Sequence, residues 1–332
     1  MSKKLSMFDI AKLSGVSIAT VSRVINKNGG YSKETEEHVN KVIEETGFVP
    51  NSNAKSLRTQ ISNTIGVIVP DLTNEFFSKL VREIELVLLP QNYSVIICDT
   101  NEDKDIEQQY LNNLVSRKVD GIIYISGQSD VSSVETIHSI PLVYIDRSPK
   151  NAKVLVHSDN FHGGYIAART LIDAGARNLI MIRDIRLLSP VAERTNGFLK
   201  AISEYRKSRI TMSIIDTEVS YEATVKTISN LFSEGIEFDG VFASNDTIAL
   251  GVLHTVENNG KKVPNEVKII GFDGISVTEY SRPTISTIKQ DLVQIAHISC
   301  DQLLFMINGG KVESREFVVP VQLLQRDTTK ST

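Results

Sequence analysis

From about residue 60 onward, short continuous apolar runs alternate with amphipathic stretches, and no other feature of the chain narrows its fold as much. The pattern predicts strands near 64–69, 93–98, 121–126, 142–146, 179–182, 210–215, 240–244 and 268–272. It predicts helices between them, among others near 75–89, 161–174, 221–232 and 246–258. Apolar strands joined by helices build parallel sheets covered on both faces. These units are too many for one small sheet, so two doubly wound subdomains are expected. A length of 332 residues and an apolar fraction of 41% suit two or three domains. In such sheets ligands bind beyond the carboxyl ends of the strands. The polar residues there are Asp71, Ser126, Asp146, Asp159, Asn245-Asp246 and Asp273. Each alone can serve as a helix cap. Their recurrence points to one polar cleft, with Arg194, at a helix start, as its fixed cation.

The first 60 residues follow another pattern. They carry nine Lys/Arg and six Asp/Glu, against 27 and 34 in the remainder. Residues 10–33 and 46–70 contain no acid at all, which suits a surface that meets phosphates. Ser6 with Asp9 three residues on predicts a capping box. Phe8, Ile10, Ala11 and Leu13 are read as the apolar face of the helix that follows, which Gly15 ends. Ser17 caps a second helix, near 18–26, with Val21, Val24 and Ile25 inward. Ser32 caps a third, with Val39, Val42 and Ile43 inward, ended by Gly47. The spacing Ala11–Gly15–Val21 carries the inference: a small residue where two helices cross, a glycine in the turn, and a branched residue pinning the second helix. That is the helix-turn-helix pattern. The outward face of the second helix is Ile18, Ala19, Ser22, Arg23 and Asn26. It holds no acid, and its arginine is able to grip a guanine edge.

The segments DIAKLSGVSIATVSRVIN and SKETEEHVNKVIEETGFVPNSNAKSLRT resemble the DNA-binding domain of the LacI-type family of bacterial transcription regulators. The resemblance implies that Ile18 and Ala19 are base-reading positions, that Arg23 contacts a base, and that Ser17, Thr20, Ser22 and Asn26 hold phosphates. One departure is the paired glycine of Asn28-Gly29-Gly30-Tyr31. After Pro50, Asn53 and Ala54 open a short segment that family members fold on operator DNA. There Leu57 would wedge between base pairs, the cost of unstacking being offset by contacts to the bent duplex. Farther on, NTIGVIVPDLTNEFFSKLVREIE, SDNFHGGYIAARTLIDAGARN, FASNDTIALGVL and KIIGFDG resemble the family's effector domain, which is periplasmic-binding-protein-like. By position, Phe76, Phe77, Asp146, Asp159, Arg194, Asn245 and Asp273 would contact the ligand, and Ser126 joins them as a polar residue at a strand end. Near residues 218–219 the family brings an aromatic to stack on the ligand. Here Glu218 and Val219 stand, and the chain has no Trp, so that contact is either missing or supplied by another aromatic such as Phe161.

The resulting division is a helix-turn-helix head at 1–49, a hinge helix and linker at 50–61, and an effector-binding and dimerisation domain at 62–332. That domain is expected to split into an N-subdomain (62–160 and 290–319) and a C-subdomain (161–289 and 320–332). The expected function is a repressor that binds a pseudo-palindromic operator as a homodimer under a small-molecule effector, a sugar or sugar derivative. The alternative is a catabolite-control-type regulator whose co-repressor is a phosphorylated carrier protein. No leucine heptads follow Asp327, which favours a dimer over a tetramer. The N-terminus has no secretory apolar segment and no run approaches membrane length, so a cytoplasmic protein is expected, against a solute-binding transport protein. Two distant cysteines, Cys98 and Cys300, allow no zinc spacing and suit a reducing compartment. Residues 99–110 begin like a calcium loop but place Lys104 sixth and Tyr110 twelfth. His157 and His162 flank a bend and are read as incidental. No phosphate loop or nucleophile elbow occurs, so no catalysis, cofactor or metal is expected.

Overall fold

The computed structural model describes residues 5–49, 61–125, 140–147, 152–205, 209–313 and 315–330. The chain forms two units, 1–62 and 63–332.

Among the described residues of the first unit the helices are α1 (Met7–Ser14), α2 (Ile18–Ile25) and α3 (Lys33–Thr46). Their ends are set locally. The Ser6 N–H donates to Asp9 Oδ2 at 2.8 Å while the Asp9 N–H donates to Ser6 Oγ, completing the capping box. Ser17 and Ser32 accept from the N–H groups of Thr20 and Thr35, and Gly15 and Gly47 close α1 and α3 in the left-handed region. The core gathers Ile10, Ala11, Val21, Val24, Val39, Val42 and Phe48, with Ile25 and Ile43 packed against it. The expected apolar face of α1 needs correction. Phe8 is 63% and Leu13 56% exposed, because the inward stripe runs through Met7, Ile10, Ala11 and Ser14 at i, i+3, i+4 and i+7. The expected α2 also runs one residue long: Asn26 is its C-cap.

The second unit holds two six-stranded sheets. Its strands are β1 (Thr64–Val69), β2 (Ser94–Asp99), β3 (Gly121–Tyr124), β4 (Leu142–Ile145), β5 (Val154–Ser158), β6 (Asn178–Asp184), β7 (Thr211–Thr217), β8 (Gly240–Ala243), β9 (Lys268–Asp273), β10 (Ser286–Lys289), β11 (Arg315–Val319) and β12 (Gln322–Leu324). The first sheet runs β11-β5-β4-β3-β1-β2, all parallel. The second runs β12-β10-β9-β8-β6-β7, parallel except for β12. Four of these strands, β5, β10, β11 and β12, lie outside the predicted set. Their apolar runs are three residues or fewer, and pairing with distant neighbours makes them strands.

The helices are α4 (Glu75–Leu88), α5 (Lys104–Ser116), α6 (Asn160–Asp173), α7 (Ser189–Glu204), α8 (Tyr221–Ser233), α9 (Asp246–Asn258), α10 (Val277–Tyr280) and α11 (Leu292–Ile307). Six of them start on an Asn, Asp or Ser whose side chain accepts from the first turn: Asn74, Asp103, Asp159, Ser220, Asn245 and Asp291. Leu80, Ile84, Ile295 and Leu303 from α4 and α11 cover one face of the first sheet, and Leu111 and Leu114 from α5 the other. On the second sheet α8 and α9 bring Ile228, Leu231, Val252 and Val256 to one face. Helices α6 and α7 bring Ala167, Leu171, Phe198 and Ala201 to the other. The chain passes between the sheets three times, after β5, β10 and β11. In each sheet, consecutive strands fall on opposite sides of β1 or β6. This opens a crevice at the carboxyl ends.

Helices α6 and α7 touch backbone to backbone through two glycines. A Cβ on Gly164 would collide with the carbonyl of Arg194, and one on Gly197 with that of Phe161. The pair Gly163-Gly164 is thus a packing device that fixes the height of Arg194 over the second sheet.

Candidate functional site

The carboxyl ends of the two sheets surround a cleft of about 520 Å³. Asp71 follows β1, Glu102 follows β2, Asp146 and Arg147 follow β4, and Gln290 follows β10. Asp184 ends β6 and Asp273 ends β9, while Arg186, Glu218 and Asn245 lie just beyond β6, β7 and β8. Phe76 and Phe77 enter from the first turn of α4, meeting edge to face at 5.2 Å. Asn74 holds that turn by accepting from the Phe76 N–H at 3.0 Å.

Arg194 organises one wall. Its Nε donates to Asn160 Oδ1 at 2.8 Å and its Nη1 to the Ser244 carbonyl at 2.6 Å. Nη2 lies 3.8 Å from Asp273 Oδ1, and the guanidinium stacks 3.6 Å over the Phe272 ring. Burial pulls the arginine's pKa down, and the charges of Asp273 and Asp146 oppose that pull. Burial pushes Asp273 up to about 6, held back by Arg194 and by the hydrogen bond from Gln290 Nε2 at 2.8 Å. Asp273 has φ 112° and Asp146 φ 68°, left-handed backbone that places each carboxylate at the cleft. Asp246 sits behind the wall. It accepts from the N–H groups of Gly274 and Ile275 and from Thr287 Oγ1, so it shapes the β9 turn. Burial, then the charge of Asp273, raises its pKa well above the ordinary aspartate value.

Three buried polar atoms of the lining residues, Asp146 Oδ1, Arg147 Nε and Gln290 Oε1, make no hydrogen bond to the protein, Arg147 Nε lying 3.8 Å from Asp146 Oδ2 as an ion pair. The exposed edges of the cleft offer carboxylate, amide and guanidinium groups side by side, a lining that both accepts and donates hydrogen bonds. Hydroxyls, each donor and acceptor at once, fit that set. Six carboxylates and three guanidiniums line the cleft, a formal charge of −3. Among the described residues no group of three or more His, Cys, Asp or Glu is placed to hold a metal ion.

In the head, α2 presents Ile18, 46% exposed, together with Ala19 and Arg23. The hydroxyls of Ser17 and Thr20 bond each other at 2.9 Å, over a helix start free of acid. Arg23 is folded back, Nε to the Ala19 carbonyl at 3.4 Å and Nη1 to that of Gly30 at 3.5 Å. Asn26 Nδ2 donates to the Ser22 carbonyl at 2.7 Å.

Residues 6–51 match the model for bacterial regulatory proteins of the lacI family, and residues 62–327 that for periplasmic binding proteins and the sugar-binding domain of the LacI family. The chain belongs to the LacI family. Its LacI-family relatives include the ribose operon repressor of Halalkalibacterium halodurans, 33% identical over 97% of this chain and 96% of that one. Catabolite control protein A of Priestia megaterium is 30% identical over 98% and 99%. Among solved structures, a LacI-family regulator from Enterococcus faecium with bound ribose is 30% identical, with TM-score 0.73, covering 80% of this chain and 98% of that one. The Lac repressor dimer bound to operator and an anti-inducer, at 23% identity and TM-score 0.91, shares the fold over 99% of this chain and 100% of that one.

Against the LacI-family expectations, Phe76, Phe77, Asp146, Arg194, Asn245 and Asp273 converge on the cleft, as do Glu218 and Val219. Asp159 does not. It caps α6, accepting from the His162 N–H at 2.9 Å, while its neighbour Asn160 turns inward to Arg194. Phe161 is 44% exposed and lies outside the lining, so it supplies no stacking surface. Ser126, Asn53, Ala54 and Leu57 lie outside the described residues. Sequence reasoning missed Arg147, Asp184, Arg186 and Gln290. Arg147 and Arg186 were findable as cations just past predicted strands. Gln290 was hidden because β10 was not predicted.

Proposed function

We propose that this LacI-family chain is a homodimeric transcription repressor controlled by a small neutral sugar, a pentose such as D-ribose being the first candidate. The observation that carries the effector assignment is the cleft itself: about 520 Å³ at the carboxyl ends of two parallel sheets, lined by carboxylates, guanidiniums and amides beside the Phe76–Phe77 pair, which offers a hydroxylated ring both hydrogen bonds and an apolar face. Relatives named for ribose and sucrose, and a solved relative holding ribose, support a sugar. In the head, Ile18, Ala19 and Arg23 read base edges while Ser17, Thr20, Ser22 and Asn26 meet phosphates. Two copies on one axis require a pseudo-palindromic operator. The sugar joins an N-subdomain (62–160 and 290–319) to a C-subdomain (161–289 and 320–332). It thereby biases their closure, and operator affinity follows by the coupling free energy. The chain acts in the cytoplasm and returns the sugar unchanged. A relative named catabolite control protein A raises a carrier-protein co-repressor as the second reading. The cleft favours a small molecule, since about 520 Å³ lined by converging polar side chains at strand ends is the size and place of a small-ligand site.

The test is calorimetric titration with D-ribose, sucrose and hypoxanthine, followed by operator binding with and without the ligand that binds. A ligand at a hundred times its Kd should add about 2.7 kcal/mol to the unfolding free energy. Titrations in which no neutral sugar binds would refute the assignment.

A further inference from the structure

Glu102 and Arg186 stand on opposite walls of the cleft. Glu102 follows β2 of the first sheet and Arg186 follows β6 of the second, and their side chains are ion-paired. Arg186 also grips Asp184, Nε at 2.9 Å from both carboxylate oxygens and Nη2 at 2.6 Å from Oδ2. Its guanidinium is thus held between two carboxylates. The other cleft arginines are committed as well, Arg194 beside Asp273 and Arg147 beside Asp146, each at 3.8 Å.

An arginine fork is the natural partner of a phosphate monoester, which carries a charge of roughly −1.5 to −2 at pH 7. In a cleft with twice as many carboxylates as guanidiniums, such a dianion finds, among the described residues, no arginine without a carboxylate beside it. Asp184 is buried and fixed on the same strand end as its arginine, but Glu102 reaches in from the far wall and is a third exposed. We propose that Glu102 is a specificity-determining residue: by occupying Arg186 from across the cleft, it makes the site accept a free sugar and reject its phosphate ester. This rests on the neutral-sugar reading above.

The experiment is calorimetric titration of D-ribose and D-ribose 5-phosphate into the full chain, as wild type, Glu102→Gln and Glu102→Lys, at physiological salt. The wild type should prefer D-ribose. Glu102→Gln should shift the ratio of affinities toward the phosphate by about tenfold, the factor carried by ~1.4 kcal/mol, and Glu102→Lys by more. The Glu102→Gln gain should vanish when Arg186→Gln is added, which a general loosening of the loop would not produce. A ratio unchanged within about twofold in both variants would overturn the proposal, as would a wild type that binds the phosphate as tightly as the sugar. A wild type that binds neither overturns this proposal, and the neutral-sugar reading falls with it only if sucrose also fails to bind. A wild type that binds D-ribose with an unmoved variant ratio removes only this one.

Discussion

Replacing Arg194 with lysine keeps the charge and removes the fork, and the structure says this is not a conservative change. The guanidinium serves Asn160, the Ser244 carbonyl and Asp273 at once while lying flat on Phe272. An ammonium on a shorter reach serves one of the three. Asn160 and Ser244 are each 1% exposed, so two buried acceptors, or one and a carboxylate, lose their donor. Each such loss costs about 1–3 kcal/mol, and the lost stacking adds ~0.5–2. Arg194→Lys should therefore destabilise the larger unit by roughly 2.5–8 kcal/mol, read by urea unfolding with an unchanged m-value. D-ribose affinity should fall at least about tenfold. Operator affinity, measured where the variant is folded, should persist because the head is a separate unit. A loss below about 0.5 kcal/mol with normal ligand response would mean that Arg194 does not organise the wall.

Four further outcomes follow from the same geometry. Val21 is fully buried, so Val21→Ala should cost roughly 1.5–3 kcal/mol, unfold a head with little stability to spare, and abolish operator binding while sugar binding survives; circular dichroism and titration separate the two. Gly164→Ala should wedge α6 from α7 at the Arg194 carbonyl, costing about 1–3 kcal/mol and weakening D-ribose; unaltered affinity and stability would refute the close approach. Asp273 is raised from 3.8 to about 6, so the folded state binds more protons than the unfolded state between those values and this group lowers stability as pH rises through that window. Asp273→Asn lacks that slope, so its stability relative to wild type should increase from pH 4 to 7 in urea titrations, and a flat difference would contradict the shift. Arg23→Ala should cost about 1–3 kcal/mol of discrimination at one operator base pair and little non-specific affinity, measured by competition with random duplex.

The head was legible residue by residue because its determinants are local. Ser6 with Asp9, Ser17 with Thr20 and Ser32 with Thr35 act within one turn, and Gly15 and Gly47 act on their own φ. Even there the rotation of α1 was misjudged. Which of Met7 and Phe8 faces inward is decided by where α2 and α3 press, and composition alone rates both as apolar. In the larger unit the alternation of strand and helix sufficed for two parallel sheets, because a fully covered strand must be apolar along its length. It also sufficed for a cleft lined by Asp146, Arg194, Asn245 and Asp273, because parallel topology gathers strand ends on one edge.

The choice of which polar residue at a strand end turns to the ligand came from packing alone. Asp159 and Asn160 are adjacent and equally polar, yet one caps a helix and the other meets Arg194. That depends on the crossing of α6 and α7 at Gly164 and Gly197, set by residues more than 30 positions apart. The pairing of Glu102 with Arg186 is non-local in the same way, since the two are brought together only when separate sheets face each other. Local periodicity determines what an element is and which side is apolar, because backbone geometry repeats over a few residues. Partners across a cleft are decided by the packing of whole sheets, which no short window of sequence encodes.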